Sequence, residues 1–251
     1  MTTASSPPGI ARSLNCDGAH GAALVAGMAV LLLPLAGGEE LTAQWRYERG
    51  AVAGGEWWRL ITAHIVHLDL RHAMLNAAGL ALLWALFARS FRPWQWLIAT
   101  ALILAAIDAG FWFLSPQLGW YVGASAWLHG IFACGTVAMI RGGERLGWVA
   151  AVVFAAKLAW EQWQGPLPLT HGPVVTVSHL YGALGGLAAG LLLRPRHHPL
   201  YGVLFCTGPV DAVRVRVPGA GLPVHWHAGR ACSAGSHHRR HLRRSLCRAG
   251  R

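Results

Sequence analysis

The sequence predicts an all-α membrane protein, a bundle of six transmembrane helices with both termini on the cytoplasmic side. Three observations carry that expectation. Of the 251 residues, 54% are hydrophobic and only 12% are charged, about half the charged share of a soluble domain. The apolar residues are gathered into six long blocks, and a spanning helix needs about 20 such residues. The net charge of +11 is local, because from Arg194 onward there are eleven arginines against one aspartate. A basic surface distributed over the whole chain, of the kind that binds nucleic acid, is therefore not expected.

The six blocks fall at residues 22–35, 70–88, 94–114, 122–140, 147–163 and 174–193. Trp94, Trp96, Trp112, Trp120, Tyr121 and Trp163 stand near their ends, as interfacial aromatics do. Arg89 and Arg92 lie between the second and third blocks, and Arg141 and Arg145 between the fourth and fifth. The loop 115–121 carries no charge, and 161–173 carries only Glu161. By the positive-inside rule the Arg-bearing loops and the tail face the cytoplasm. Residues 36–69 are then outside, and the segment Gly54-Gly55-Glu56-Trp57-Trp58-Arg59 suits a structure lying on the membrane surface.

The domain organisation follows: an N-terminal cytoplasmic segment 1–21, a six-span unit 22–193 and a basic, disordered tail 194–251. In the tail Val213–Val217 is the only strand-like run. A cleaved signal peptide is not expected, since Arg12 is the one basic residue before the first block and further spans follow. Cys16, Cys134, Cys206, Cys232 and Cys247 show no paired spacing, so neither a disulfide framework nor a zinc knuckle is expected. The tail histidines and cysteines fit no tetrahedral metal site.

Polar groups inside spans are costly and mark function by default. His72 and Asn76 stand near the start of the second span, Ser125 near the start of the fourth and His179 near the start of the sixth. All three spans run from outside to inside, which places the four groups at one depth, roughly 3–9 Å below the outer end at 1.5 Å per residue. His72 and Asn76 are four apart and share a helix face, as two donors to a developing oxyanion would. Gly182, Gly186 and Gly190 recur every four residues, a face for close helix packing. If that face meets the fourth span, His179 is brought to Ser125, and a serine–histidine pair about 3 Å apart suffices as nucleophile and base.

Each residue also has a plain reading. A serine in a helix back-bonds to its own turn, a membrane histidine links helices, and spaced glycines pack. Those readings do not predict matched depth. A histidine-rich electron carrier, with haem held by His72, His129 or His179, is a further possibility.

Trp58-Arg59 followed by His67-Leu-Asp-Leu-Arg-His72-Ala-Met-Leu-Asn76 resembles the rhomboid signature W-R…H-x-x-x-x-H-x-x-x-N. Gly123-Ala-Ser125-Ala126 resembles the rhomboid G-x-S-G, and His179-Leu-Tyr-Gly182 its H-x-x-G. The resemblance runs from about Gly55 to Leu193 and implies a rhomboid-like bundle and an intramembrane serine protease with no metal or cofactor. It makes Ser125 the nucleophile, His179 the base, and His72 and Asn76 the oxyanion donors. His67, Trp58 and Arg59 become structural residues of the first outer segment. Ala126 departs from the family's glycine, and its methyl could crowd the oxyanion pocket. An inactive rhomboid-like protein that binds membrane clients is the alternative.

A narrower resemblance, carried by Ser125-Ala-Trp-Leu-His129-Gly130 and Lys157-Leu-Ala-Trp-Glu161-Gln162, is to the rhombosortase branch. It implies a bacterial inner membrane and partner substrates anchored by one C-terminal transmembrane segment, with Gly-Gly sorting tails. Lys157 is the only lysine, and Glu161 is at i+4. An intramembrane ion pair is the plainer account of these two, beside a part in substrate recognition. His129, one turn below Ser125, reads as an interhelical hydrogen-bonding group, or as one that orients the site. Asp108 in the third span has no evident partner.

Overall fold

The computed structural model describes residues 18–166 and 174–196. Most of the N-terminal segment 1–21 expected on the cytoplasmic side, most of the basic tail and its Val213–Val217 run lie outside the described residues. Helices occupy all six places that the apolar blocks mark.

Helix α1 is Gly18–Leu32. Pro34 lacks an N–H and stops its straight continuation, and the chain passes through a 3-10 turn, Leu33–Gly37, into α2, Gly38–Trp45. Glu39 and Glu40 sit in the first turn of α2, where the helix dipole favours negative charge. The apolar helical run is thus longer than the 22–35 block. A two-residue strand β1, Tyr47–Glu48, and two short helices follow, α3 at Arg49–Ala53 and α4 at Arg59–Thr62.

Asp69 caps helix α5, Leu70–Phe87, by accepting from the His72 backbone N–H at 2.7 Å. Helix α6, Pro93–Ala109, opens on a proline and runs into a π-turn, Gly110–Leu114. Its last carbonyls are not left bare, because Arg49 donates to the Phe111 and Trp112 oxygens at 2.9 and 2.7 Å. Strand β2, Trp120–Tyr121, pairs antiparallel with β1, Tyr47 opposite Tyr121. This short ladder adds one strand pair to a bundle expected to be all-α. Two residues are too few to show an alternation.

The last three helices are α7 at Ser125–Arg141, α8 at Arg145–Gln164 and α9 at Thr176–Leu192. Among the described residues three helical runs are long and apolar enough to cross a membrane: Gly21–Trp45, Leu70–Ser90 and Pro93–Leu114. Helix α9 is apolar but shorter, and α7 and α8 carry His129, Lys157 and Glu161.

Helix α7 lies at the centre, packed against α9, α8, α6 and α5. Glycines set how closely. A Cβ on Gly182 would lie 2.0 Å from the Ala126 carbonyl oxygen, and one on Gly186 would lie 1.9 Å from that of Gly130. On Gly190 it would meet Cys134 and Val137. The pairs 182–126, 186–130 and 190–134 ascend together, so α7 and α9 are parallel. The contacts of Gly123 with His72, Gly79 with Leu128 and Gly135 with Phe87 make α5 parallel to α7 in the same way. Helix α8 runs the other way, with Gly147 beside Ile140 and Lys157 beside His129.

A methyl at Gly186 has only backbone to meet, so Gly186→Ala should lower stability by about 1–3 kcal/mol, seen as a lower Tm in detergent. Gly50, with nothing near its Cβ direction, is the control, and Gly50→Ala should change stability by no more than about 0.5 kcal/mol.

Candidate active site

The turn before α7 places the serine. Gly123 has φ of +119°, a conformation that side chains strongly disfavour, and a Cβ there would come within 2.7 Å of the His72 ring. The turn is pinned on both sides: the Gly123 N–H donates to the Ala63 oxygen at 2.9 Å, and the Tyr121 hydroxyl donates to the Gly123 oxygen at 2.6 Å. Ser125 is the first residue of α7, where backbone N–H groups have no intrahelical acceptor. His179, in the first turn of α9 and 5% exposed, brings Nε2 to 3.0 Å from Ser125 Oγ. The two residues, 54 apart in sequence, meet because the glycine face of α9 rests on α7.

Three further groups converge on His179. Its Nδ1 lies 2.9 Å from Glu161 Oε2, and the same oxygen is 2.7 Å from Lys157 Nζ. Lys157 also contacts His129 Nε2. The other nitrogen of that ring, Nδ1, donates to the Ser125 carbonyl at 2.6 Å. The His129 ring stacks flat on His179, with centroids 4.0 Å apart and planes 7° apart. The ion pair read from the i, i+4 spacing is present, and it is joined to the histidine beside Ser125. Sequence reasoning did not assign Glu161 to His179. The signal was its position, the one charge in the 161–173 stretch, at the same end of the bundle as Ser125 and His179.

His72 and Ser125 both line a cavity of about 230 Å³, with Leu75 from α5, Tyr121 and Val122 before α7, and Val175 and Ser178 at the start of α9. Asn76 is one turn further along α5 and 4% exposed, and its Nδ2 has no protein hydrogen-bond partner. A buried donor left so costs roughly 1–3 kcal/mol, a cost that functional sites carry. His67 is buried with both ring nitrogens unpartnered and packs edge-on to His72 at 5.1 Å. Burial, reinforced by the His72 ring, holds His67 well below the usual histidine range, at about 4, so it stays neutral.

Arg59 is buried while Trp58 is half exposed. Arg59 donates to Glu56 at 2.6 Å and to the Ala43 and Arg46 carbonyls at 2.9 Å each, tying the C-terminal end of α2 to α4. Trp57, Trp58 and Ile61 leave an apolar face open beside it. Ala126 is fully buried against Gly182 and is not among the residues lining the cavity. Asp108 has a partner that the sequence did not reveal: His64 Nε2, at 3.3 Å. Ligand atoms of His129, Glu161 and His179 lie within 4.8 Å of one another, a spacing a metal ion could use. The Lys157 ammonium is bonded to two of these residues, and a metal would have to displace it.

Fold and site together define an integral membrane protein with a serine–histidine contact buried in a helical bundle. The Rhomboid domain family model matches residues 54–196, and the chain belongs to the rhomboid family, whose members are in general intramembrane serine proteases. A curated relative, "Putative rhomboid protease YdcA" of Bacillus subtilis (strain 168), is 25% identical over 141 residues, covering 56% of this chain and 69% of its own. No solved structure gives a significant match.

Arg59→Met would strand two carbonyls and the Glu56 carboxylate. A loss of about 2–4 kcal/mol is expected, read as a lower Tm in detergent and faster proteolysis within residues 46–62.

Proposed function

We propose that this chain is an intramembrane serine endopeptidase in which Ser125 is the nucleophile and His179 the base. The observation that carries the reading is the 3.0 Å contact between His179 Nε2 and Ser125 Oγ, at the wall of the cavity that His72 also lines. A substrate span enters that cavity and unwinds at small residues, exposing a peptide carbonyl. His179 Nε2 takes the Ser125 proton as Oγ bonds to the carbonyl carbon. The oxyanion is held by the unpartnered Asn76 amide, by His72 and by the free N–H groups opening α7. The proton passes to the leaving amine as the C–N bond breaks, and water then releases the acyl group from Ser125.

In this reading the helices at the six apolar blocks span the membrane, both termini are cytoplasmic and cleavage falls near the outer face. The parallel course of α5, α7 and α9 supports a common depth for His72, Ser125 and His179. The two motifs around His129 and Lys157 support the rhombosortase branch. The substrates are then membrane-anchored proteins with one C-terminal transmembrane segment and a Gly-Gly tail, in a bacterial inner membrane. The rival, an inactive client-binding protein, drew on Ala126, a residue set off the cavity.

Labelling by a fluorophosphonate serine probe in detergent tests the chemistry. Wild type should label, and Ser125→Ala and His179→Ala should not, with folding retained. Labelling that persists in Ser125→Ala, or a folded wild type that never labels, overturns the assignment. Asn76→Ala should still be labelled at Ser125 but lose about 10²–10³-fold in cleavage of a transmembrane reporter.

A further inference from the structure

Resting on that reading, we infer that Glu161 is a positioning residue that completes a Ser125–His179–Glu161 triad, with Lys157 and His129 fixing its geometry. The usual serine–histidine pair needs only that one ring nitrogen of the base be unprotonated and aimed at the hydroxyl. In a neutral imidazole either nitrogen can carry the proton, and half of that choice is useless. Here the choice is made by the partner at the far side of the ring. A carboxylate accepts and cannot donate, so Glu161 Oε2 at 2.9 Å holds the proton on His179 Nδ1. The lone pair on Nε2 is left facing Ser125 Oγ. When Nε2 accepts the serine proton, the ring becomes a cation beside an anion already in place, and Glu161 itself stays ionised throughout.

The carboxylate is held as firmly as the ring it serves. Glu161 is 4% exposed and near the C-terminal end of α8, where the helix dipole opposes a negative charge. Lys157, one turn earlier on the same face, supplies the compensating cation at 2.7 Å. The second contact of Lys157 is decided by the same logic. The Ser125 carbonyl can only accept, so His129 Nδ1 donates to it. An ammonium can only donate, so His129 Nε2 accepts from Lys157. His129 is thereby a neutral ring of fixed orientation, and it lies flat on His179 at 4.0 Å. The base is held at one edge by a carboxylate and on one face by a ring that is itself hydrogen-bonded to the backbone of the nucleophile.

The test uses the full-length protein in detergent, with 15N-histidine spectra and fluorophosphonate inactivation kinetics side by side. The wild-type spectrum should show His179 protonated at Nδ1 and bare at Nε2; protonation at Nε2 overturns the proposal without any variant. Glu161→Gln, whose amide can donate to Nδ1, should lower the maximal inactivation rate by about 10²–10⁴-fold and leave the probe's half-saturating concentration unchanged. Glu161→Asp, which keeps the carboxylate, should recover part of that loss and serves in its place if Glu161→Gln does not fold. A wild-type rate in folded Glu161→Gln, or a loss confined to half-saturation, overturns the triad while leaving Ser125 and His179 in place. Labelling retained in Ser125→Ala overturns the underlying reading instead, so the two failures are distinguishable.

Discussion

The constraint on which the rest depends is the approach of two helix backbones. Where the backbones of α9 and α7 come closest, α9 carries glycine, at 182, 186 and 190, and the nearest atoms opposite the first two are the carbonyls of Ala126 and Gly130. No side chain fits between them. With this separation fixed, a short hydroxymethyl on one helix and an imidazole on the other are left at hydrogen-bonding distance. A bundle packed at the usual 8–10 Å between axes, with side chains interposed, would hold them apart. The glycine face therefore sets the chemistry as much as the packing. The methyl of Ala126 is compatible with it because the side that faces Gly182 is its carbonyl.

Around that contact the bundle admits charge in the one arrangement that low polarity tolerates. An unpaired lysine or glutamate in an apolar interior is strongly disfavoured, and breaking a buried pair leaves one such charge behind. Lys157 and Glu161 neutralise each other within α8, and both turn their remaining hydrogen-bonding capacity towards α7 and α9. His64 and Asp108 form a second polar contact, between the stretch joining α4 to α5 and helix α6. Each places a polar link where the elements carrying the site must be held together.

Much of this was legible in the sequence, and the parts that were not share a cause. The apolar blocks gave the helices, and His72, Ser125 and His179 gave themselves away by recurring at one end of three helices of the same direction. The spacing of Gly182, Gly186 and Gly190 told which face of α9 would pack. The contact of Glu161 with His179 stayed hidden because Lys157 at i–4 already accounts for the carboxylate, and single-helix reasoning stops at a satisfied charge. Asp108 looked alone because His64 is 44 residues away and outside every apolar block. The β1–β2 ladder has two residues a side and no periodicity to read. The extension of the first helical run past Pro34 was masked by a residue that breaks the α pattern without ending the helical course.

The ladder has a consequence of its own. The Arg49 N–H donates to Gly119, β1 pairs with β2, and the Gly123 N–H donates to Ala63. The segment between α1 and α5 is thus stitched, at three successive points, to the stretch that ends in Ser125. Its exposed tryptophans, Trp57 and Trp58, leave a broad apolar surface on that same segment. The position of the segment and the alignment of the serine are in this way a single mechanical coordinate: a load that lifts the segment is delivered first to the backbone of Gly123, two residues before the serine that opens α7.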